Sequence, residues 1–157
     1  MDDVAVALAF HVLAVIHWIG GLAFVTLIVL PLARLRSAGK EGVALFDSVE
    51  RRFAAQVRFS IPVAGATGLW MTYRMDLWGR FVDPHFWWMS AMLGFWLVFV
   101  FMVFVMEPLV RQRLEQQARL DPTSTLRRIT RLHAFLLTLA ALTVLGAVAG
   151  AHGFDFF

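Results

Sequence analysis

Five histidines stand out in this 157-residue chain: His11, His17, His85, His133 and His152. Each lies within, or at the edge of, an otherwise uncharged apolar run. Ionisable groups at hydrocarbon depth are costly, which makes them functional-site candidates. A neutral imidazole offers one ring nitrogen to a metal while the other stays protonated. There is no cysteine, so disulfides, thiolate metal sites, iron–sulfur clusters and covalent c-type haem attachment are excluded. The sequence also contains no Ser–His–Asp constellation, phosphate-binding glycine loop or zinc-protease motif. Ligation by imidazole is the chemistry that remains.

The elements that must position these rings are membrane helices. Apolar residues make up 60% of the chain and charged residues 16%, against about 45–50% and about 25% in a soluble domain. Mean hydropathy is +0.72. Uncharged runs cover 4–33, 59–73, 84–106 and 132–154. The first is too long for a signal-peptide core, and Asp2 and Asp3 stand where a basic flank would be. The second is too short to cross alone, so its helix starts upstream around Phe46 to Phe53 and draws Arg58 towards the hydrocarbon. The chain thus reads as a single all-α domain over 1–157, an integral membrane four-helix bundle with spans at about 4–33, 53–73, 84–108 and 130–152. Asp83 and Pro84 are a predicted cap and first turn of the third helix. Pro31 and Pro108 mark predicted exits of the first and third helices, Glu107 is an exit residue, and Pro62 is a predicted kink. No internal repeat is apparent.

Charge sets the orientation. Arg34, Arg36, Lys40, Arg51, Arg52 and Arg58 lie between the first two spans, and Arg111, Arg113, Arg119, Arg127, Arg128 and Arg131 between the last two. Only Arg74 and Arg80 lie on the other side, with Asp2, Asp3, Asp76, Asp83 and Asp155. Basic loops stay in the cytoplasm, so both termini face the periplasm of a bacterial inner membrane. The net charge of +3 is therefore topology, not a nucleic-acid footprint. Trp70, Trp78, Trp87 and Trp88 fit an outer aromatic belt.

With a rise of about 1.5 Å per residue, and spans centred near Trp18, Trp96 and Ala141, the histidines fall at different depths. His11 lies about 10 Å outward of the midplane, and His85 and His152 about 16 Å outward. His17 lies near the midplane and His133 about 12 Å inward. His11, His152 and His85 form an outer group from different helices. Haem b is the best match to imidazoles on facing helices of a bundle. A porphyrin also needs small residues where it presses on backbone, and Gly20, Gly21, Gly65, Gly68, Gly146 and Gly150 supply them. Arg74 and Arg80 outside, with Arg58 and Arg131 inside, are candidate propionate partners.

Plainer readings stand beside this one. Gly146-x-x-x-Gly150 is also a helix-packing motif, and histidine also hydrogen-bonds between membrane helices. His85 at a span mouth, and His152, suit the interface; His133 suits the inner headgroup layer. Met71 and Met75, Met89 and Met92, and Met102 and Met106 form pairs at helical spacing, and thioether with imidazole selects copper. Methionine is equally ordinary apolar filler.

The run Phe10-His11-Val12-Leu13-Ala14-Val15-Ile16-His17-Trp18-Ile19-Gly20-Gly21-Leu22-Ala23-Phe24, ending at Pro31, resembles the opening helix of CopD-like membrane proteins. It is also similar to HemJ-type protoporphyrinogen oxidases. Thr67-Gly68-Leu69, Asp76-Leu77-Trp78, Phe86-Trp87-Trp88-Met89, Glu107-Pro108-Leu109 and the stretch 146–153 extend the CopD-like resemblance over most of the chain. The resemblance implies a four-helix unit able to carry haem b, and in the HemJ group the first-span histidine, here His11, is a haem-ligand candidate. That group carries an essential lysine in its third span, and 86–106 contains none.

The expectation is a membrane protein binding one or two haem b, with His11 and His152 as the outer axial pair. His17 and His133 are ligands or supporting partners of a second haem. Electron transfer follows, to or from a quinone, a small species or another redox partner, in a chain that pairs as a homodimer within the lipid bilayer. A copper-uptake protein and a protoporphyrinogen oxidase-like enzyme are the alternatives.

Overall fold

The computed structural model describes residues 2–35 and 40–154, with backbone alone at 40, 111, 114 and 115. Arg36 and Asp155, used above for orientation, lie outside the described residues. The described chain is helical, with no strand. Helix α1 is Asp2–Leu35, α2 is Lys40–Arg74, α3 covers 87–120, and α4 is Pro122–Ala151. Short 3₁₀ turns at Trp78–Phe81 and Pro84–Phe86 lead into α3.

Three stretches are long and apolar enough to cross a membrane: Asp2–Leu35, Pro84–Val110 and Pro122–Ala151. Helix α2 is not among them. It begins at Lys40 rather than near Phe53 and runs unbroken past Pro62. Its N-terminal part carries Asp47, Glu50, Arg51, Arg52 and Arg58.

Neither Pro31 nor Pro108 ends its helix: α1 runs on to Leu35 and α3 to Leu120. A proline ring clashes with the carbonyl four residues earlier and takes no hydrogen bond to it. Those carbonyls belong to Leu27 and Phe104. Each is the middle residue of a π-helical segment, Val25–Val29 in α1 and Met102–Met106 in α3. One wider turn accommodates the ring, and the helix continues.

These two segments are 77 residues apart, and so are the two prolines. Pro31-Leu-Ala-Arg-Leu-Arg is repeated as Pro108-Leu-Val-Arg-Gln-Arg. Helices α2 and α4 end at Arg74 and Ala151, the same spacing. Both helices close alike: Asp76 (φ 51°) and Gly153 (φ 79°) adopt the left-handed conformation. The following amides, Leu77 N–H and Phe154 N–H, then donate to the Thr72 and Ala149 carbonyls at 3.0 and 3.1 Å. The chain is a duplicated hairpin, α1–α2 then α3–α4. The sequence reading missed this because the two copies share shape devices and few side chains.

All four helices meet in one core. Trp18 and Leu22 come from α1, Val57 and Ile61 from α2, Phe95 and Phe99 from α3, and Leu136 and Ala140 from α4. Trp18 stacks on Phe95, its counterpart in the repeat, with ring centres 5.4 Å apart. Fully burying side chains of this size is worth about 1.5–3 kcal/mol each from water, but between membrane helices close packing and hydrogen bonds replace that force. Packing is close here. A methyl group on Gly65, Gly146 or Gly150 would overlap the rings of Trp96, Trp87 and Trp88 respectively. Trp87, half-buried, and Trp88, buried, pack against α4, whereas Trp70 and Trp78 are exposed.

Candidate functional site

The seam between α1 and α2 collects the polar side chains of the interior. Antiparallel contacts fix its register: Asp3 to Arg74, His11 to Ala64, and His17 to Ser60. That register sets Arg58 level with Trp18, at the centre of the long uncharged run of α1.

His11 is half-buried in this seam, its ring lying over Gly68. Its Nδ1 is 2.8 Å from the Ala64 carbonyl and 3.2 Å from Thr67 Oγ1. A carbonyl only accepts, so Nδ1 carries the proton and Nε2 keeps its lone pair. An imidazole fixed this way is prepared for a metal, since ligating histidines commonly donate their second ring N–H to a carbonyl. His133 and His152 share the pattern, each donating to the carbonyl one turn back on α4, Ile129 at 3.1 Å and Val148 at 2.7 Å. His133 also meets Phe46 edge-on. His152 is exposed at the helix end that Gly153 closes.

His17 differs. Nε2–H donates to Gln56 Oε1 at 3.1 Å, while Nδ1 accepts from the Ser60 hydroxyl at 3.1 Å. Both nitrogens are occupied, which leaves none for iron. His85 pairs with Asp83 at 2.9 Å on the exposed outer surface. Asp83 also caps the turn before α3, accepting from the His85 backbone N–H, and these contacts hold its carboxyl below the usual range.

The arginines are committed mainly to structure. Arg74 donates to Asp3 at 2.6 Å and lies near the face of Trp70; Arg80 lies over Phe86. Arg58 pairs with Glu107 at 3.4 Å, so Glu107 is a partner for α2 and not simply an exit residue. Arg131 is exposed on α4. Among the described residues no group of three or more His, Asp or Glu side chains gathers as a metal site. The glycines expected to make room for a porphyrin mostly seat aromatic rings: Phe53 on Gly21, Trp96 on Gly65, and Trp87 and Trp88 on Gly146 and Gly150.

The sequence reading passed over Gln56, Ser60 and Thr67. Their spacing of four and seven places them on one stripe of α2, a helical signal visible once the helix is known to begin at Lys40. It also passed over Trp18, whose indole N–H is buried with no hydrogen-bond partner among the described residues. No family model, curated protein or solved structure matches the chain.

Proposed function

We propose that the chain is a four-span protein of the bacterial inner membrane, with both ends on the periplasmic side, that binds haem b and transfers electrons. The observation that carries this reading is His11, whose Nδ1–H is tied to the Ala64 carbonyl so that Nε2 is available as a ligand. His152 has the same arrangement near the outer end of α4 and is the proposed second axial ligand. The donor set fits a b-type haem: two neutral imidazoles, no thiolate, and carbonyl anchors that fix the tautomer. Haem bound there would be held by His11 and His152 and would supply reversible one-electron chemistry. The chain's own part is to orient the imidazoles, exclude water with the apolar faces of α1 and α4, and keep the core between them rigid. His17 has both ring nitrogens hydrogen-bonded, so a second haem on His17 and His133 would require the bonds to Ser60 or Gln56 to open. A quinone or another redox protein is the proposed exchange partner.

Crossing of the membrane by α2 is part of the proposal. Its antiparallel seam with α1 and the Arg58–Glu107 pair support it, because charges at this depth persist where they are paired. The resemblance to CopD-like proteins points the same way. The test is the pyridine-haemochrome spectrum of the purified chain. One b-type haem per chain is expected, lost in His11→Ala and in His152→Ala and retained in His17→Ala. A haem-free protein, or a band indifferent to His11, overturns the assignment.

A further inference from the structure

The α1–α2 hairpin has an outer flank that lipid alone does not satisfy. On α1 the exposed residues Leu13, His17, Gly20 and Phe24 follow one another at helical spacing. Alongside them on α2 lies Gln56, exposed and joined to His17 by the 3.1 Å hydrogen bond. This polar pair stands at the level of the uncharged centre of α1, not at either end. Hydrocarbon offers no acceptor for the Gln56 amide N–H groups, and an unmet amide in an apolar medium is costly. Next to His17, Gly20 has open space where a side chain would project. A bare glycine and a hydrogen-bonding side chain on one face are the two features that bring membrane helices together.

We infer that this flank is the contact with a second copy of the chain, related to the first by a two-fold axis along the membrane normal. The chemistry favours a copy of itself. An amide side chain carries donor and acceptor together, so Gln56 and its symmetry mate satisfy each other reciprocally, as an isologous interface requires. Gly20 lets the two α1 backbones approach, and Leu13 and Phe24 close the contact above and below the polar pair. The duplicated hairpin provides its own control. The residue 77 positions after His17 is Gly94, which is also open on its helix but carries no side chain to bond, and the counterpart of Gln56, His133, donates instead to the Ile129 carbonyl of its own helix. The second hairpin is left to face lipid.

The inference rests on α2 crossing the membrane, and the experiment separates the two. The full-length protein, labelled with donor and acceptor dyes, is reconstituted in phosphatidylcholine vesicles over a range of protein-to-lipid ratios, and energy transfer reads the dimer fraction. A dimer is expected, with dissociation raised about tenfold or more by Gln56→Leu and by Gly20→Leu and unchanged by Gly94→Leu. Since the chain lacks cysteine, Gly20→Cys should form a disulfide dimer on mild oxidation and Gly94→Cys should not. A wild-type monomer at every ratio overturns the inference and leaves the polar pair to a lipid-soluble ligand; equal sensitivity at Gly20 and Gly94 overturns it too. Impermeant maleimide on Glu41→Cys and Asp76→Cys reports the crossing: labelling from opposite sides upholds α2 as a span. Labelling of both from one side removes the span and the interface together.

Discussion

The two hairpins are built on one plan and filled differently. Each has a first helix with a proline-linked π turn and a second helix closed by a left-handed residue. In α3–α4 the seam is ring against glycine: Trp87 over Gly146 and Trp88 over Gly150. In α1–α2 it holds imidazole against carbonyl, hydroxyl and amide: His11 with Ala64 and Thr67, His17 with Ser60 and Gln56. A close-packed apolar seam tolerates little change. A hydrogen-bonded seam gives up some packing and keeps titratable, ligating groups in a fixed orientation. One copy of the duplication packs ring on glycine along its seam and carries His133 and His152 on α4; the other holds its histidines inside a hydrogen-bonded seam.

The contrast can be broken most forcefully at Gly150. In Gly150→Leu the Trp88 ring must be displaced, and overpacking of this kind typically costs about 1–3 kcal/mol or more. Thermal unfolding in detergent should show it, whereas Gly20→Leu, with open space above it, should leave monomer stability nearly unchanged. Equal losses would mean that the Trp88–Gly150 contact is no tighter than an open helix face.

A smaller effect joins the two halves. Trp96 Nε1–H donates to the Ile61 carbonyl at 2.8 Å while its ring covers Gly65. Trp96→Phe removes the donor and keeps an aromatic ring, for an expected loss of about 1 kcal/mol. The same measurement would read it, and no loss would show that ring packing alone ties α3 to α2.

The smallest effect belongs to the outer end of the polar seam. Asp3 precedes the uncharged run of α1, and the hydrogen bond from Arg74 holds its carboxyl down from 3.8 to about 2. A carboxylate with a lowered folded-state pKa contributes stability above its unfolded value and loses it as pH falls through the folded one. The pair is solvent-exposed and screened, so its effect is slight. Asp3→Asn should lower the melting temperature slightly at pH 7, and the difference from wild type should close between about pH 4 and pH 2. A difference that persists at the acid end would show that the pairing is not electrostatic.

Much of this was legible in the residues. The uncharged runs located α1, α3 and α4 because a span needs an unbroken apolar stretch and little else. The start of α2 was not legible, since its N-terminal part is polar and carries no hydrophobic period that separates it from a loop. Asp83 was read correctly as a cap, although the turn that it caps is 3₁₀. Pro31 and Pro108 mark where the apolar runs give way to charge; the π turn that carries each helix past its proline leaves no compositional trace. The histidines were visible as anomalies of depth. What distinguishes His11 from His17 is the partner of each ring nitrogen, and those partners lie 39 to 56 residues away on another helix.

The π turns have one more consequence, in the currency of insertions and deletions. Relative to an uninterrupted α-helix, a π turn is one surplus residue, which re-phases everything beyond it by roughly 100° around the axis. Leu30 and Ala33, just past the first π turn, are fully buried because that rotation returns them to the inner stripe. Residues 25–29 therefore form a slot in which the chain length is adjustable. Together with replacement of Pro31, loss of a single residue there converts the segment to plain α-helix, a change that would be ruinous anywhere else along α1.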